Sequence, residues 1–336
     1  MLVDSFGRVI DYLRVSITDR CNLRCVYCMP PEGVEWKPHN TMLRFEEILR
    51  ACGIMAGLGI RKIKVTGGEP LVRRGAAAFI QNLKALPGIE NVTLTTNGIL
   101  LGAYLDETET LGCSAEAIPD GVNISLDALD PRRYGQISRY EGTDPAVIIS
   151  LIDRLLEKGI AVKLNCVPIR SFNEDEILPI SALAKNKDIA VRFIELMPLG
   201  FAGTLQPVPG REIAELLEKN YGTLTPFSGI RGNGPAVYYS LPDFTGKIGF
   251  INALSRGFCE TCNRLRLTSE GLLKPCLANE LCLDLREMLR SGAPDGDLIQ
   301  AVNEAVAKKP RFHSLSKVYG ASSEERHSVG MSCIGG

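Results

Sequence analysis

Two groups of cysteines dominate the chemistry open to this chain. Cys21, Cys25 and Cys28 form a C-x3-C-x2-C run, which puts three sulfurs around one small volume. Structural zinc takes four closed ligands, usually from paired C-x2-C knuckles. Here no fourth Cys or His follows closely, His39 being the nearest, 11 residues on. Iron–sulfur clusters are normally held by four cysteines. Three ligands on a four-iron cube therefore leave one iron open to a small molecule, an arrangement for reaction rather than structure, and the spacing favours this over zinc. The second group, Cys259, Cys262 and Cys276, is spaced C-x2-C-x13-C. A zinc ribbon completed by Cys282 and a second iron–sulfur cluster fit that pattern about equally, although Cys282 lies in the apolar-periodic stretch 280–289 and reads as core. Cys52, Cys113, Cys166 and Cys333 stand alone and read as small buried hydrophobes.

Basic residues form the other candidate set: Arg14, Lys64, Arg73, Arg74, Lys163, Arg192, Arg264 and Arg266. Lys64, Lys163 and Arg192 fall inside strand-like runs, where a cation facing a dry core is costly. Any one of them reads as ordinary snorkelling or surface charge. As a set beside two cysteine motifs they point to an anionic ligand, because each phosphate charge needs a charge-assisted partner and Arg supplies one bidentately. The glycine-rich stretch Thr66–Pro70 is no phosphate-binding P-loop, since the Gly-Lys-Ser/Thr ending is missing.

The elements that must position these residues recur with a period. Strand-like runs occupy Leu13–Thr18, Lys62–Thr66, Val92–Thr96, Val122–Leu126, Val162–Pro168 and Ala190–Leu196, with starts 49, 30, 30, 40 and 28 residues apart. That is the length of a βα unit. Phe45–Leu58, Ala146–Lys158 and Asp175–Lys185 carry apolar residues at helical spacing between them. Six such units imply an α/β fold with a parallel sheet and right-handed crossovers, open or curled into a partial (βα)6 TIM-like barrel. Thr66-Gly67-Gly68-Glu69-Pro70, Thr96-Asn97-Gly98, Ser125-Leu126-Asp127 and Glu195-Leu196-Met197-Pro198 all follow strands, at the edge where such folds bind ligands. After about residue 221 the rhythm breaks. The division expected is a barrel over 1–222 and a C-terminal extension over 223–336, with helices at Asp284–Arg290 and Leu298–Lys308 and a polar tail from Ala321.

The 38 basic and 39 acidic residues leave a net charge of −1, which excludes a bulk nucleic-acid binder. Met1–Ile10 lacks the apolar core of a secretory signal, and no apolar run is long enough to span a membrane. A cytoplasmic location is expected, and there eleven cysteines stay reduced and mean metal or catalysis rather than disulfides.

C-x3-C-x2-C with Tyr27 before the last cysteine, Gly67-Gly68-Glu69-Pro70 after the second strand and six βα units together resemble the radical S-adenosylmethionine enzymes. The resemblance implies that Cys21, Cys25 and Cys28 ligate a 4Fe–4S cluster whose open iron chelates S-adenosylmethionine. One electron from it then yields a 5′-deoxyadenosyl radical that takes a hydrogen atom from substrate. Tyr27 lies beside the adenine through its backbone, Gly68 admits the methionine amino group, and Ser125 and Met197 make further cofactor contacts on the same reading.

Cys259-Glu-Thr-Cys262-Asn-Arg264-Leu265-Arg266 with Cys276, the segment Leu13–Arg20, Phe193–Met197 and the closing Ile334-Gly335-Gly336 are similar to the GTP 3′,8-cyclase family of molybdenum-cofactor biosynthesis, over about residues 5 to 336. That implies a second 4Fe–4S cluster on Cys259, Cys262 and Cys276, binding guanine directly. It implies GTP contacts from Arg14, Lys64, Thr95, Lys163, Arg264, Leu265 and Arg266, with Arg73 and Arg192 as further candidates. The reaction implied joins ribose C3′ to guanine C8 after loss of the C3′ hydrogen. A homodimer, a reductant such as flavodoxin or ferredoxin, a downstream enzyme making cyclic pyranopterin monophosphate, and a Gly-Gly end reaching into the active site are also implied. No nucleic acid or membrane partner is expected. Two alternatives make different demands: a peptide-modifying radical enzyme has little need of the Arg264/Arg266 pair, and a zinc-stabilised RNA-binding protein needs a basic, aromatic surface.

Overall fold

Strict alternation of apolar and polar residues builds the sheet. The computed structural model describes residues 1–313 apart from 36, 111, 113–117, 199, 230–231 and 280. Strands β1 (Tyr12–Ser16), β2 (Lys62–Thr66), β3 (Asn91–Thr96), β4 (Gly121–Ser125), β5 (Ala161–Cys166) and β6 (Ala190–Ile194) pair in parallel in that order. Each lies within two residues of its expected start and end. On one face Leu13, Val15, Ile63, Val65, Val92, Leu94, Val122, Ile124, Val162, Leu164, Val191 and Phe193 are buried in one continuous core. The alternate positions carry Arg14, Lys64, Thr95, Asn123, Lys163 and Arg192, which a period of two places on the opposite face.

Helices α1 (Phe45–Leu58), α2 (Ala76–Lys84), α3 (Leu101–Thr110), α4 (Pro131–Ser138), α5 (Pro145–Glu157) and α6 (Ile177–Ala182) lie between successive strands, followed by α7 (Gly210–Tyr221). Their starts are set locally. Asp130 accepts from Arg132 and Arg133 N–H at 3.0 Å ahead of α4, and Asp144 accepts from Ala146 N–H at 2.8 Å ahead of α5, each with Pro in the first helical turn. Cys52 and Cys166 are fully buried in the core, as their isolation suggests. Cys113 and Cys333 lie outside the described residues.

The C-terminal extension joins this sheet rather than standing apart from it. Strands β7 (Thr225–Phe227), β8 (Val237–Ser240) and β9 (Lys247–Ile251) add at the β6 edge, β9 in parallel with β6 and the other two antiparallel. At the other edge β10 (Arg264–Leu267) pairs in parallel with β1, followed by β11 (Leu272–Lys274) and β12 (Leu283–Asp284) in antiparallel order. Helices α8 (Leu285–Arg290) and α9 (Asp295–Ala307) complete the described chain, which contains no helix long and apolar enough to cross a membrane. The 280–289 stretch divides between β12 and α8, so its apolar period does not belong to one helix. Cys282 is accordingly exposed, which corrects its reading as a core residue.

The sheet is curled. Arg14 on β1, Lys64 on β2, Thr95 on β3, Ser125 on β4, Asn165 on β5 and Arg192 on β6 all line one cavity, although four ladder spacings separate β2 from β6. The curl agrees with the expected partial barrel and turns the cationic face inward.

Candidate active site

The loop after β1 carries the first cysteine trio and is fixed from two sides. Arg24 and Val26 N–H bond to the carbonyls of Ser138 and Ile137 at the end of α4, both at 2.9 Å. On the other side, Gly68 N–H donates to Thr18 C=O and Glu69 N–H to Arg20 C=O, each at 2.8 Å. A Cβ on Gly68 would sit 2.4 Å from the Arg20 carbonyl oxygen and 2.7 Å from that of Asp19. Glycine is therefore required where the two loops touch, a constraint separate from any approach of a ligand.

Glu69 locks the loop to a third strand end. Its buried carboxylate accepts from Leu71 N–H at 3.0 Å, Thr96 Oγ1 at 2.8 Å and Asn97 N–H at 2.6 Å. Burial pushes its pKa up to about 7 against these lowering hydrogen bonds. Asn97 in turn donates to Asn22 Oδ1 at 2.8 Å beside Cys21. The Tyr27 hydroxyl donates to Asp127 Oδ2 at 2.6 Å while Asp127 Oδ1 accepts from Val167 N–H at 2.8 Å. The bond to Asp127 commits the Tyr27 hydroxyl to the protein. Burial raises the Asp127 carboxyl to about 6, and burial, then Asp127 and the two sister thiols, raises the Cys25 thiol well above its usual range.

The second trio sits on a short turn and two strand ends. Cys259 and Cys262 flank a single 3-10 turn before β10, and Cys276 follows β11. Glu195, just past β6, accepts from Leu254 N–H at 2.7 Å and Ser255 N–H at 3.1 Å, anchoring the segment that leads to Cys259. Arg8 donates to the Cys259 carbonyl at 2.6 Å from the opposite side. Burial drives the Cys262 thiol up, but Arg264 and Lys309 outweigh it and bring the pKa down to about 7. Cys282 is not in this wall.

Both trios open into one cavity of about 330 Å³. That lies at the lower end of the range for ligand pockets, about 300–1,000 Å³. Ser125, Met197, Gly68 and Tyr27 line it on the first side. Arg14, Lys64, Thr95, Arg192, Arg264 and Arg266 line it too. β-register explains the convergence: Arg266, Arg14 and Lys64 are direct neighbours across β10, β1 and β2. Burial lowers the Lys64 pKa well below its usual range, and Arg192, Arg14, Lys163 and Arg264 lower it further. Arg266 is lowered by burial first, then by Arg14 and Arg264. Buried cations that destabilise one another are relieved by a polyanion.

Three residues of the expected set are placed differently. Arg73 is not in the cavity wall; its guanidinium donates to Ile17 C=O at 2.6 Å and Leu43 C=O at 2.8 Å and stacks over Phe45 at 4.0 Å. Its position just past a 3-10 turn aims it at backbone, not at the sheet interior. Leu265 is fully buried on the core face beside Leu13, so only its backbone is left for a ligand. Lys163 is absent from this wall but stands beside it, its Nζ 2.9 Å from where a Gly232 Cβ would be. Arg192 is held by Asn165 Oδ1 at 2.9 Å and Asn123 Oδ1 at 2.7 Å, a polar pair on inward strand positions that the alternation pattern could have revealed. Lys309 and His313, also in the wall, carried no such signal: Lys308-Lys309 reads as ordinary charge at a helix end.

Among the described residues no three Cys, His, Asp or Glu side chains converge closely enough for a single metal ion. Each trio is close enough for its thiols to raise one another's pKa at Cys25 and Cys259, and all six cysteines of the two trios line the cavity. Three thiols facing a cavity are a donor set of the chemistry that iron–sulfur clusters take.

These features define a radical S-adenosylmethionine enzyme, and the Radical SAM superfamily model matches residues 15–184. The Molybdenum Cofactor Synthesis C model matches residues 189–315. The GTP 3′,8-cyclase of Moorella thermoacetica is 44% identical over 336 residues, covering 99% of both chains. That of Clostridium perfringens strain SM101 is 43% identical over 312 residues, covering 93% of this chain and 94% of the relative. The chain belongs to the GTP 3′,8-cyclase family. Among solved structures, Streptococcus suis SuiB bound to its precursor peptide SuiA aligns with a TM-score of 0.62 at 14% identity, covering 96% of this chain and 76% of SuiB. SuiB bound to S-adenosylmethionine aligns at 0.60 and 15%, covering 96% and 77%. At that identity the likeness is one of fold.

Proposed function

We propose that the protein converts GTP to (8S)-3′,8-cyclo-7,8-dihydroguanosine 5′-triphosphate, the first step of molybdenum-cofactor biosynthesis. One observation carries the reading: two separate thiol trios face one cavity, and a register-aligned row of half-buried cations lines that same cavity. Family membership supports S-adenosylmethionine and a 4Fe–4S cluster on Cys21, Cys25 and Cys28, and we assign a second 4Fe–4S cluster to Cys259, Cys262 and Cys276. When bound, the first cluster supplies the electron that splits S-adenosylmethionine into methionine and the 5′-deoxyadenosyl radical, which removes the C3′ hydrogen of GTP.

The chain's own residues then hold two ligands in reach of each other. Gly68, Ser125, Met197 and the Tyr27 backbone seat S-adenosylmethionine. Arg14, Lys64, Arg264 and Arg266 take the triphosphate, with Thr95 and Lys163 adding contacts. Arg192 is fixed by two asparagines, and so presents a preset rather than a searching guanidinium. The need for so many cations sets this reading above peptide modification. Residues 1–222 form the barrel in this scheme and 223–336 the extension. The Gly-Gly end, Ile334–Gly336, lies outside the described residues.

Beyond the site, we place the enzyme in the cytoplasm, where thiols stay reduced. We further propose a homodimer fed by flavodoxin or ferredoxin, with its product passed to the enzyme that makes cyclic pyranopterin monophosphate. Anaerobic incubation with reductant, S-adenosylmethionine and GTP tests the central reading. The expected result is GTP-dependent 5′-deoxyadenosine together with a cyclised GTP isomer. Cleavage indifferent to GTP, with no such isomer, rejects it.

A further inference from the structure

Lys309 has an environment that its place in the sequence does not suggest. Its side chain follows α9, yet the residue is only 3% exposed and lines the cavity beside Cys259, Cys262 and Cys276. The ammonium donates to Arg264 C=O at 2.9 Å and to Pro275 C=O, and it lines the cavity with the Cys262 thiol, whose charge favours the cation. Both hydrogen-bond acceptors are neutral carbonyls, from β10 and from the turn after β11 that leads to Cys276. No carboxylate forms an ion pair with Lys309 among the described residues. Its charged neighbours are Cys262 and Cys276, which favour the cation, and Arg8, which opposes it.

A buried ammonium without an opposing charge is strongly unfavourable. Only the thiolates and what they hold can supply that charge here. A doubly positive four-iron cubane on three thiolates carries net negative charge, and a further electron makes it more negative. A fixed cation against a ligating sulfur stabilises the reduced form more than the oxidised one, and charge and hydrogen bonds to the sulfurs are what set cluster potentials.

We propose that Lys309 is a positioning residue for the second cluster: held by two backbone carbonyls in the wall beside Cys262, it counters the cluster's charge and thereby raises that cluster's reduction potential while leaving the first cluster untouched. The inference rests on the two-cluster reading above.

The test is a redox titration of the anaerobically reconstituted full-length protein, following each cluster by electron paramagnetic resonance, for wild type, Lys309→Met and Lys309→Arg. The Met variant keeps the stem and removes the charge; the Arg variant keeps the charge. The expected result is a lower midpoint for the second cluster in Lys309→Met, a midpoint near wild type in Lys309→Arg, and an unmoved first cluster in both. Loss of the second cluster in Lys309→Met with retention in Lys309→Arg also supports a role through charge. Wild-type midpoints in both variants, or loss of the cluster from both, overturns it, the latter assigning Lys309 to packing alone. Iron analysis separates the two levels: wild type holding about four irons per chain rather than about eight defeats the two-cluster reading itself.

Discussion

The two cysteine sites face one cavity but are built in opposite electrostatic settings. The first is a compact loop of eight residues, buried among Glu69, Asp127 and Tyr27, and its Cys21 and Cys25 thiols are pushed upward chiefly by burial. The second is assembled from separated segments and ringed by Arg8, Arg264 and Lys309. There the Cys262 thiol falls to about 7 despite its burial. Iron binding must pull protons from Cys21, Cys25 and Cys259 against their burial, whereas Arg264 and Lys309 prepare Cys262 for it. The difference matches the ligands proposed: a sulfonium cation beside the carboxylates, a polyanion beside the cations.

The sharpest way to break this comparison is to remove one thiol from each site. Cys25→Ser is expected to abolish S-adenosylmethionine cleavage. Cys276→Ser is expected to leave cleavage running without cyclised product, and normal product from that variant would refute a substrate role for the second site. Gly68→Ala comes next. The added methyl meets two backbone carbonyls at 2.4 and 2.7 Å, so the glycine loop must shift, with most S-adenosylmethionine binding lost; near wild-type calorimetric affinity would show that the loops give way easily.

Arg266→Ala probes the cationic wall. Loss of charge-assisted hydrogen bonds of about 1.5–3 kcal/mol raises the GTP dissociation constant roughly 10- to 150-fold and leaves that for S-adenosylmethionine nearly unchanged. Equal losses for both ligands assign Arg266 to structure. The smallest effect belongs to Glu69. Burial holds its folded pKa at about 7, above the ordinary 4.5 of a glutamate, so between those limits the native state holds the extra proton. Its contribution is full below the unfolded pKa and declines as pH rises through the folded one. In cluster-free protein, wild type is expected to lose more melting temperature from pH 5 to pH 7 than Glu69→Gln; parallel curves would locate the proton elsewhere.

Much of this was legible in the residues alone, where short-range rules govern. The recurring βα period implies the parallel sheet, and cations within the strand-like runs at Lys64, Lys163 and Arg192 point to a wet face, because a period of two assigns faces without knowledge of neighbours. The same rule explains what Leu265 does: it alternates with Arg264 and Arg266 and must point to the core. What remained hidden depends on long-range closure. Arg73 sits among motif residues in sequence but braces backbone at Ile17 and Leu43. Lys309 looks like helix-end charge until β10 and β11 bring Arg264 and Pro275 to it. Cys282 lost its apparent helix because its neighbours 283–284 form an edge strand, a pairing that no local pattern encodes.

The parallel seam between β1 and β10 has a practical consequence. A chain stopped near residue 222 would bare both flanks of the six-strand core at once, because β9 covers one and β10 the other. Unpaired flanks of this kind invite association between molecules, so the amino-terminal portion is expected to precipitate when expressed alone. The two halves cannot be exchanged as interchangeable modules: the last third of the polypeptide is a stitch in the fabric of the first.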